Sequence, residues 1–99
     1  MKFEKDTVYT IKLNSGEELV AKVISSEFGS VTVSKPVSMA PGPQGLQLVP
    51  SLFSSHPDKN VDINIASIAM ATLTRDDVET AYVEATTDIA VGSKQILAG

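Results

Sequence analysis

Residues 9–33 read YTIKLNSGEELVAKVISSEFGSVTV, and the alternation within this stretch decides the fold. Tyr9, Ile11 and Leu13 alternate with Thr10 and Lys12, the period-two pattern of a strand with one buried face. Asn14-Ser15-Gly16-Glu17 supplies a turn, so the stretch opens as the first arm of a hairpin. In the second arm Leu19, Ala21 and Val23 share one face, while Val20, Lys22 and Ile24 share the other. Both faces must therefore meet apolar surface, which places this strand centrally and bends it. Phe28-Gly29-Ser30 turns the chain into Val31-Thr32-Val33, whose side Val37 and Met39 continue.

Further along, proline sets limits. Pro36 cannot donate to a ladder, so the third strand is expected at an edge or interrupted there. Residues 40–45, APGPQG, are expected to form a loop, because their prolines fix φ and their glycines admit positive φ. Leu46, Leu48 and Leu52 alternate with Gln47, Val49 and Phe53 as a fourth strand interrupted by Pro50, and residues 54–60 form a polar loop. The run 61–73 alternates at Val61, Ile63 and Ile65, then changes phase at Ser67 so that Ile68 and Met70 carry on. A kink or two short strands follow from that. Thr74-Arg75-Asp76-Asp77 reads as a capping box, and Val78, Ala81, Tyr82, Ala85 and Ile89 form one apolar helical stripe that Gly92 ends. The sequence thus predicts one domain over residues 1–92, with strands within 8–73, a helix over about 75–91, and a loose tail at 93–99.

A strand ending in an asparagine-glycine turn, a second strand bending near a small residue and an acidic turn before the third resemble the first motif of the Sm-like superfamily of Sm, LSm and Hfq proteins. Gly16, Ala21 and Glu27 are the landmarks, and Ile68-Ala69-Met70-Ala71 resembles the final strand of the second motif. In size and loops the chain is most similar to short Sm-like proteins attributed to marine cyanophages. The resemblance implies a mainly β fold: a strongly bent, five-stranded antiparallel sheet or open barrel, here with a C-terminal α-helix.

It further implies a homo-oligomeric ring in which the fourth strand of one subunit pairs with the fifth of its neighbour, removing both sheet edges. Residues 46–53 and 66–72 would form that joint, with Leu46, Leu48, Val49, Ile68 and Met70 at the interface. Family rings bind uridine-rich single-stranded RNA at the pore, which points to Glu27, Phe28, Ser30 and Asn64, with Phe28 stacking on a base and Glu27 hydrogen-bonding. Three features depart from the family pattern. The asparagine that follows the acidic turn position is replaced by Ser30 or Val31, and the basic pair before the last strand is replaced by Asn64, Ile65 and Ala66. The helix follows the sheet instead of preceding it. Losing the basic pair removes phosphate attraction. The alternative function is therefore a phage structural or assembly scaffold that presents its acidic C-terminal helix to a protein partner. Lys12, Lys22 and Lys35 discriminate: clustered at one pore mouth they favour RNA, scattered they favour the scaffold.

Composition narrows the chemistry. A chain of 99 residues can build one modest core, and with five aromatic residues and no tryptophan that core is aliphatic. Eight basic against twelve acidic residues argue against a broad grip on phosphates, and three of the four net negative charges lie after residue 74. The absence of cysteine excludes disulfides, thiolate catalysis and thiolate zinc sites. No secretory leader is visible at the charged start, and no apolar run approaches the ~18–20 residues of a membrane span. A soluble protein of the cytoplasm, or of the host cytoplasm if phage-encoded, is expected.

His56 is the one histidine. Without a second nitrogen ligand or a thiolate it reads as a solvated loop residue and not as a metal ligand or base, despite Asp58 and Asp62 nearby. Glu17 and Glu18 are adjacent and point to opposite faces of an extended chain, so they make no carboxylate dyad. There is no nucleophile elbow around any serine and no phosphate-binding glycine loop. The expectation is a binding or structural protein, not an enzyme, with no cofactor, no metal and no catalytic residue.

Overall fold

The alternation at residues 9–33 becomes a three-stranded antiparallel meander. In the computed structural model, which describes residues 2–87, β1 (Thr7–Leu13), β2 (Glu18–Glu27) and β3 (Ser30–Gly42) lie side by side. Gly16 and Gly29 take φ values of 99° and 89° in the two turns, a region that costs an L side chain roughly 1–2 kcal/mol. β3 then carries two strands along its outer edge. Its second half pairs with β4 (Gly45–Pro50) and its first half with β5 (Val61–Asn64). A single 3-10 turn, Ile65–Ser67, leads to β6 (Ile68–Leu73), which pairs with β1 at the far side of the sheet. Helix α1 (Asp76–Thr87) follows.

The fold is mainly β: an antiparallel sheet in the order β4-β3-β2-β1-β6, with β5 on β3, that stays open and is followed by a C-terminal helix. The five expected strands become six segments because the kinked run 61–73 is broken by the 3-10 turn at the residues where its phase changes.

Two bulges bend β2 and β3. Lys22 faces Ser34 and Val20 faces Val37, so Lys35 and Pro36 together oppose Ala21. Lys35 adopts φ 50° there, and the expected interruption at Pro36 is this bulge. Nearer the turn, Ile24 is the extra residue between Val23 and Ser25. The expected loop at 40–45 is much tighter than proline and glycine content suggested. β3 runs through Pro41 to Gly42, and Pro43 and Gln44 form a two-residue turn. β2 reaches no further along β3 than Ser38, so the proline at 41 interrupts no ladder on that side.

The bend produces two cores on opposite faces of β2. Tyr9, Ile11, Leu19, Ala21, Val23, Val31, Val33 and Ile68 make up the larger core on one face, where Phe3 meets Tyr9 edge-on at 4.9 Å between ring centroids. On the other face Val8, Val20 and Val37 pack with Tyr82 of α1. A one-residue slip of β2 would exchange these sets, and each fully buried Val contributes about 1.5–3 kcal/mol. Tyr82 is the one buried side chain of α1, with Val78 and Ala85 half-buried; Ala81 is exposed, so the stripe is narrower than its spacing predicts. Ile89, Gly92 and the tail at 93–99 lie outside the described residues. The capping box also differs: Thr74 is buried and its hydroxyl pairs with that of Thr10 at 3.0 Å. Asp77 instead accepts from Val78 N at 2.9 Å and from Arg75, whose guanidinium holds this carboxyl below its ordinary range.

Candidate functional site

The β2–β3 turn and the β5–β6 connection meet at one end of the sheet. Glu27 pairs with Ser30 across the turn, and the positive φ of Gly29 lets Phe28 stand clear of the sheet, fully exposed. The Gly29 carbonyl accepts from Ile65 N at 3.0 Å, and Ser30 faces Asn64 in the β3–β5 ladder. Asn64 is N-cap of the 3-10 turn: its Oδ1 accepts from Ala66 N at 3.0 Å, and its carbonyl accepts from Ser67 Oγ at 2.7 Å. The fold therefore brings Glu27, Phe28, Ser30 and Asn64 together, although 34 positions separate Ser30 from Asn64 in the chain.

Asn14, which sequence reasoning assigned only to a turn, belongs to the same surface. Its Nδ2 donates to the Ala66 carbonyl at 2.7 Å, and its backbone N donates to Ser67 O at 2.8 Å. An asparagine ending a strand beside a glycine turn was the signal available for it. With an exposed ring, amide groups and hydroxyls, this surface can stack on a flat ring and hydrogen-bond its edge. Neither segment 27–30 nor segment 64–67 contains a basic residue.

The three lysines belong to β1, β2 and β3 and lie outside this turn, and two of them adjoin α1. Lys12 is exposed, opposite Glu18 and Met70. The backbone N of Lys22 donates to Tyr82 Oη at 3.2 Å, and Lys35 Nζ donates to the Thr86 carbonyl at 3.1 Å, on the helix-bearing face.

The sequence-predicted interface residues divide into two groups. Leu46 on β4 and Met70 on β6 are exposed, at 71% and 64%, and Leu73 at the end of β6 is exposed too. Val49 is half-buried, Leu48 packs against the cluster beneath the helix, and Ile68 lies in the larger core. Among the described residues, the outer edge of β6 and the outer edges of β4 and β5 have no partner strand.

A cleft of about 350 Å³ opens where β3 bulges. Pro36, Val37 and Pro50 line it from the sheet, Leu52 and Phe53 from the 51–60 loop, and Ala85 from the helix. His56 and Asp58 are exposed at its rim. Among the described residues no group of three or more His, Cys, Asp or Glu side chains is placed to hold a metal ion, and no helix is long and apolar enough to cross a membrane. No protein-family model matches the chain, and no curated protein matches it either.

Proposed function

We propose that this chain is a ring-forming binding module of the Sm-like type, joined edge to edge by its sheets, with the Phe28 turn as a site for single-stranded RNA. The observation that carries the reading is the strand order. One 3-10 turn carries the chain from β5 on one side of the sheet to β6 on the other, and among the described residues edges on both sides have no partner strand. Unpaired edges template pairing with another chain, and joining β6 of one copy to the β4–β5 edge of the next is a heterologous contact that closes when its rotation permits. Exposed Met70 and Leu73 at one edge and Leu46 at the other supply apolar contact.

Stacking of a base on an aromatic ring is worth about 1–3 kcal/mol, and Phe28 is fully exposed for it. With no basic residue in the turn, the salt dependence of binding is shallow, because few phosphates are neutralised. Titration of the chain with labelled oligo-uridine and oligo-adenine at two salt concentrations tests this. Binding that Phe28→Ala weakens at least tenfold supports the RNA assignment, and indifference to both oligonucleotides defeats it.

The acidic first turn of α1 supports a second reading, a scaffold that binds protein, as in a phage assembly. Asp76 and Glu84 of α1 are exposed beside Val83, a face suited to a basic protein partner. An oligomer that ignores RNA favours this version.

A further inference from the structure

Glu27, Ser30 and Asn64 form one row across three strands. Glu27 is the direct partner of Ser30 in the β2–β3 ladder, and Ser30 is the direct partner of Asn64 in the β3–β5 ladder. Directly opposed residues of antiparallel strands hold their side chains on the same face, with Cβ atoms about 4.5–5.5 Å apart. Val31 and Ile63, their neighbours in the chain, pack in and against the larger core, so the row faces away from it. Two positions along β3, the Thr32 hydroxyl donates to Asp62 Oδ1 at 2.6 Å and gives that carboxylate a donor within the sheet. Glu27 differs, because among the described residues its exposed carboxylate has neither a side-chain donor nor a cation. At the other end of the row, the bond from Ala66 N at 3.0 Å fixes the orientation of the Asn64 amide, since only its oxygen accepts. The Asn64 NH2 group is thereby left as a donor on an exposed residue. The row thus offers two acceptor oxygens at Glu27, a hydroxyl at Ser30 and a donor at Asn64, next to the exposed Phe28 ring.

We propose that this row makes the Phe28 turn selective for guanine, an inference that rests on the RNA reading above. Guanine is the base whose pairing edge carries two adjacent donors, the N1 hydrogen and the 2-amino group, beside one acceptor, O6. The Glu27 carboxylate accepts both donors side by side, and O6 accepts from Ser30 or Asn64 while the base stacks on Phe28. Uracil offers a single donor flanked by two acceptors, and adenine and cytosine each set an amino donor beside a ring-nitrogen acceptor. Each of these aims a lone pair at a carboxylate that has no hydrogen to give. Contacts to base edges carry sequence preference and contacts to phosphates carry salt dependence, so the preference for guanine holds at low and high salt alike.

The full-length chain is titrated with short labelled oligo-uridines in which one central position is uridine, adenosine, cytidine, guanosine or inosine, the last being guanosine without its 2-amino group. The guanosine oligomer is expected to bind at least about tenfold tighter than each of the others, inosine included, as a bidentate pair discriminates by about that factor. Glu27→Gln keeps the size of an exposed side chain but exchanges one acceptor for a donor. It is expected to abolish the preference without lowering affinity for unsubstituted oligo-uridine. Guanosine bound no tighter than any one of the others, or a preference that survives Glu27→Gln, overturns the selectivity and leaves the RNA reading standing. Binding of none of the five oligomers is a failure of the RNA reading itself, and the inference falls with it.

Discussion

Tyr82 Oη donates a hydrogen bond to the carbonyl of Ser34 at 2.7 Å, at the point where β3 bulges away from β2. The same oxygen accepts from Lys22 N at 3.2 Å, so one helical side chain repairs both sides of the gap that Lys35 and Pro36 open in the ladder. Removing the hydroxyl strands two backbone groups beneath the helix. Tyr82→Phe is expected to lower stability by about 1–3 kcal/mol, and Tyr82→Ala by about 3–5 kcal/mol, read from urea midpoints. A Tyr82→Phe variant with an unchanged midpoint would show that the gap is satisfied some other way.

Burial raises the Tyr82 phenol to about 12, against the bonded amide of Lys22, which lowers it. Since the folded value lies above the unfolded value of 10.0, the unfolded chain releases this proton first as pH rises. The contribution is fully present below pH 10 and is lost on the way to pH 12. Urea midpoints measured across that window should fall more steeply for the native chain than for Tyr82→Phe, and parallel curves would contradict the assignment.

The hydroxyls of Thr10 and Thr74 satisfy each other across 64 positions of sequence at 3.0 Å. Replacing one alone leaves its partner unpaired in a part-buried site, whereas replacing both leaves no unsatisfied group. Thr74→Val is expected to cost about 1–2 kcal/mol, and the Thr10→Val/Thr74→Val double variant less than the sum of the singles. A double-mutant cycle with no coupling would refute the pair.

At Gly29, φ is +89° and an added Cβ meets nothing within 4 Å. The cost of Gly29→Ala is therefore backbone strain alone, roughly 1–2 kcal/mol. Gly42→Ala differs in kind, since its Cβ would stand 2.9 Å from the Gln47 side chain while its φ lies outside the left-handed region. Chemical denaturation of the pair, with Gly42→Ala rescued by Gln47→Ala and Gly29→Ala not, separates strain from contact.

How far the sequence could be read depended on whether the deciding term was local. Alternation at Tyr9, Ile11 and Leu13 and the double-faced pattern of Leu19 to Val23 specify their own burial, because a strand's faces are set by period two. The phase change at Ser67 likewise announces the 3-10 turn. Residues 40–45 misled because proline content was read without knowing that β2 stops opposite Ser38, a tertiary fact that leaves Pro41 harmless. Thr74 misled for a similar reason: a hydroxyl that fits a cap in sequence found a buried partner in Thr10. Glu27, Phe28, Ser30 and Asn64 were named from a family likeness, and their proximity comes from β5 pairing with β3. Asn14 escaped notice because its tie to Ala66 crosses from one hairpin to a distant turn.

Edge-to-edge assembly is most directly tested by the mass of the native particle, measured by multi-angle light scattering over a range of protein concentrations. The account predicts one discrete species at a whole multiple of 10.5 kDa, which Met70→Lys, at a 64% exposed position on β6, drives toward the single-chain mass without lowering the urea midpoint by more than about 0.5 kcal/mol equivalent. A single species at 10.5 kDa at every concentration would contradict it.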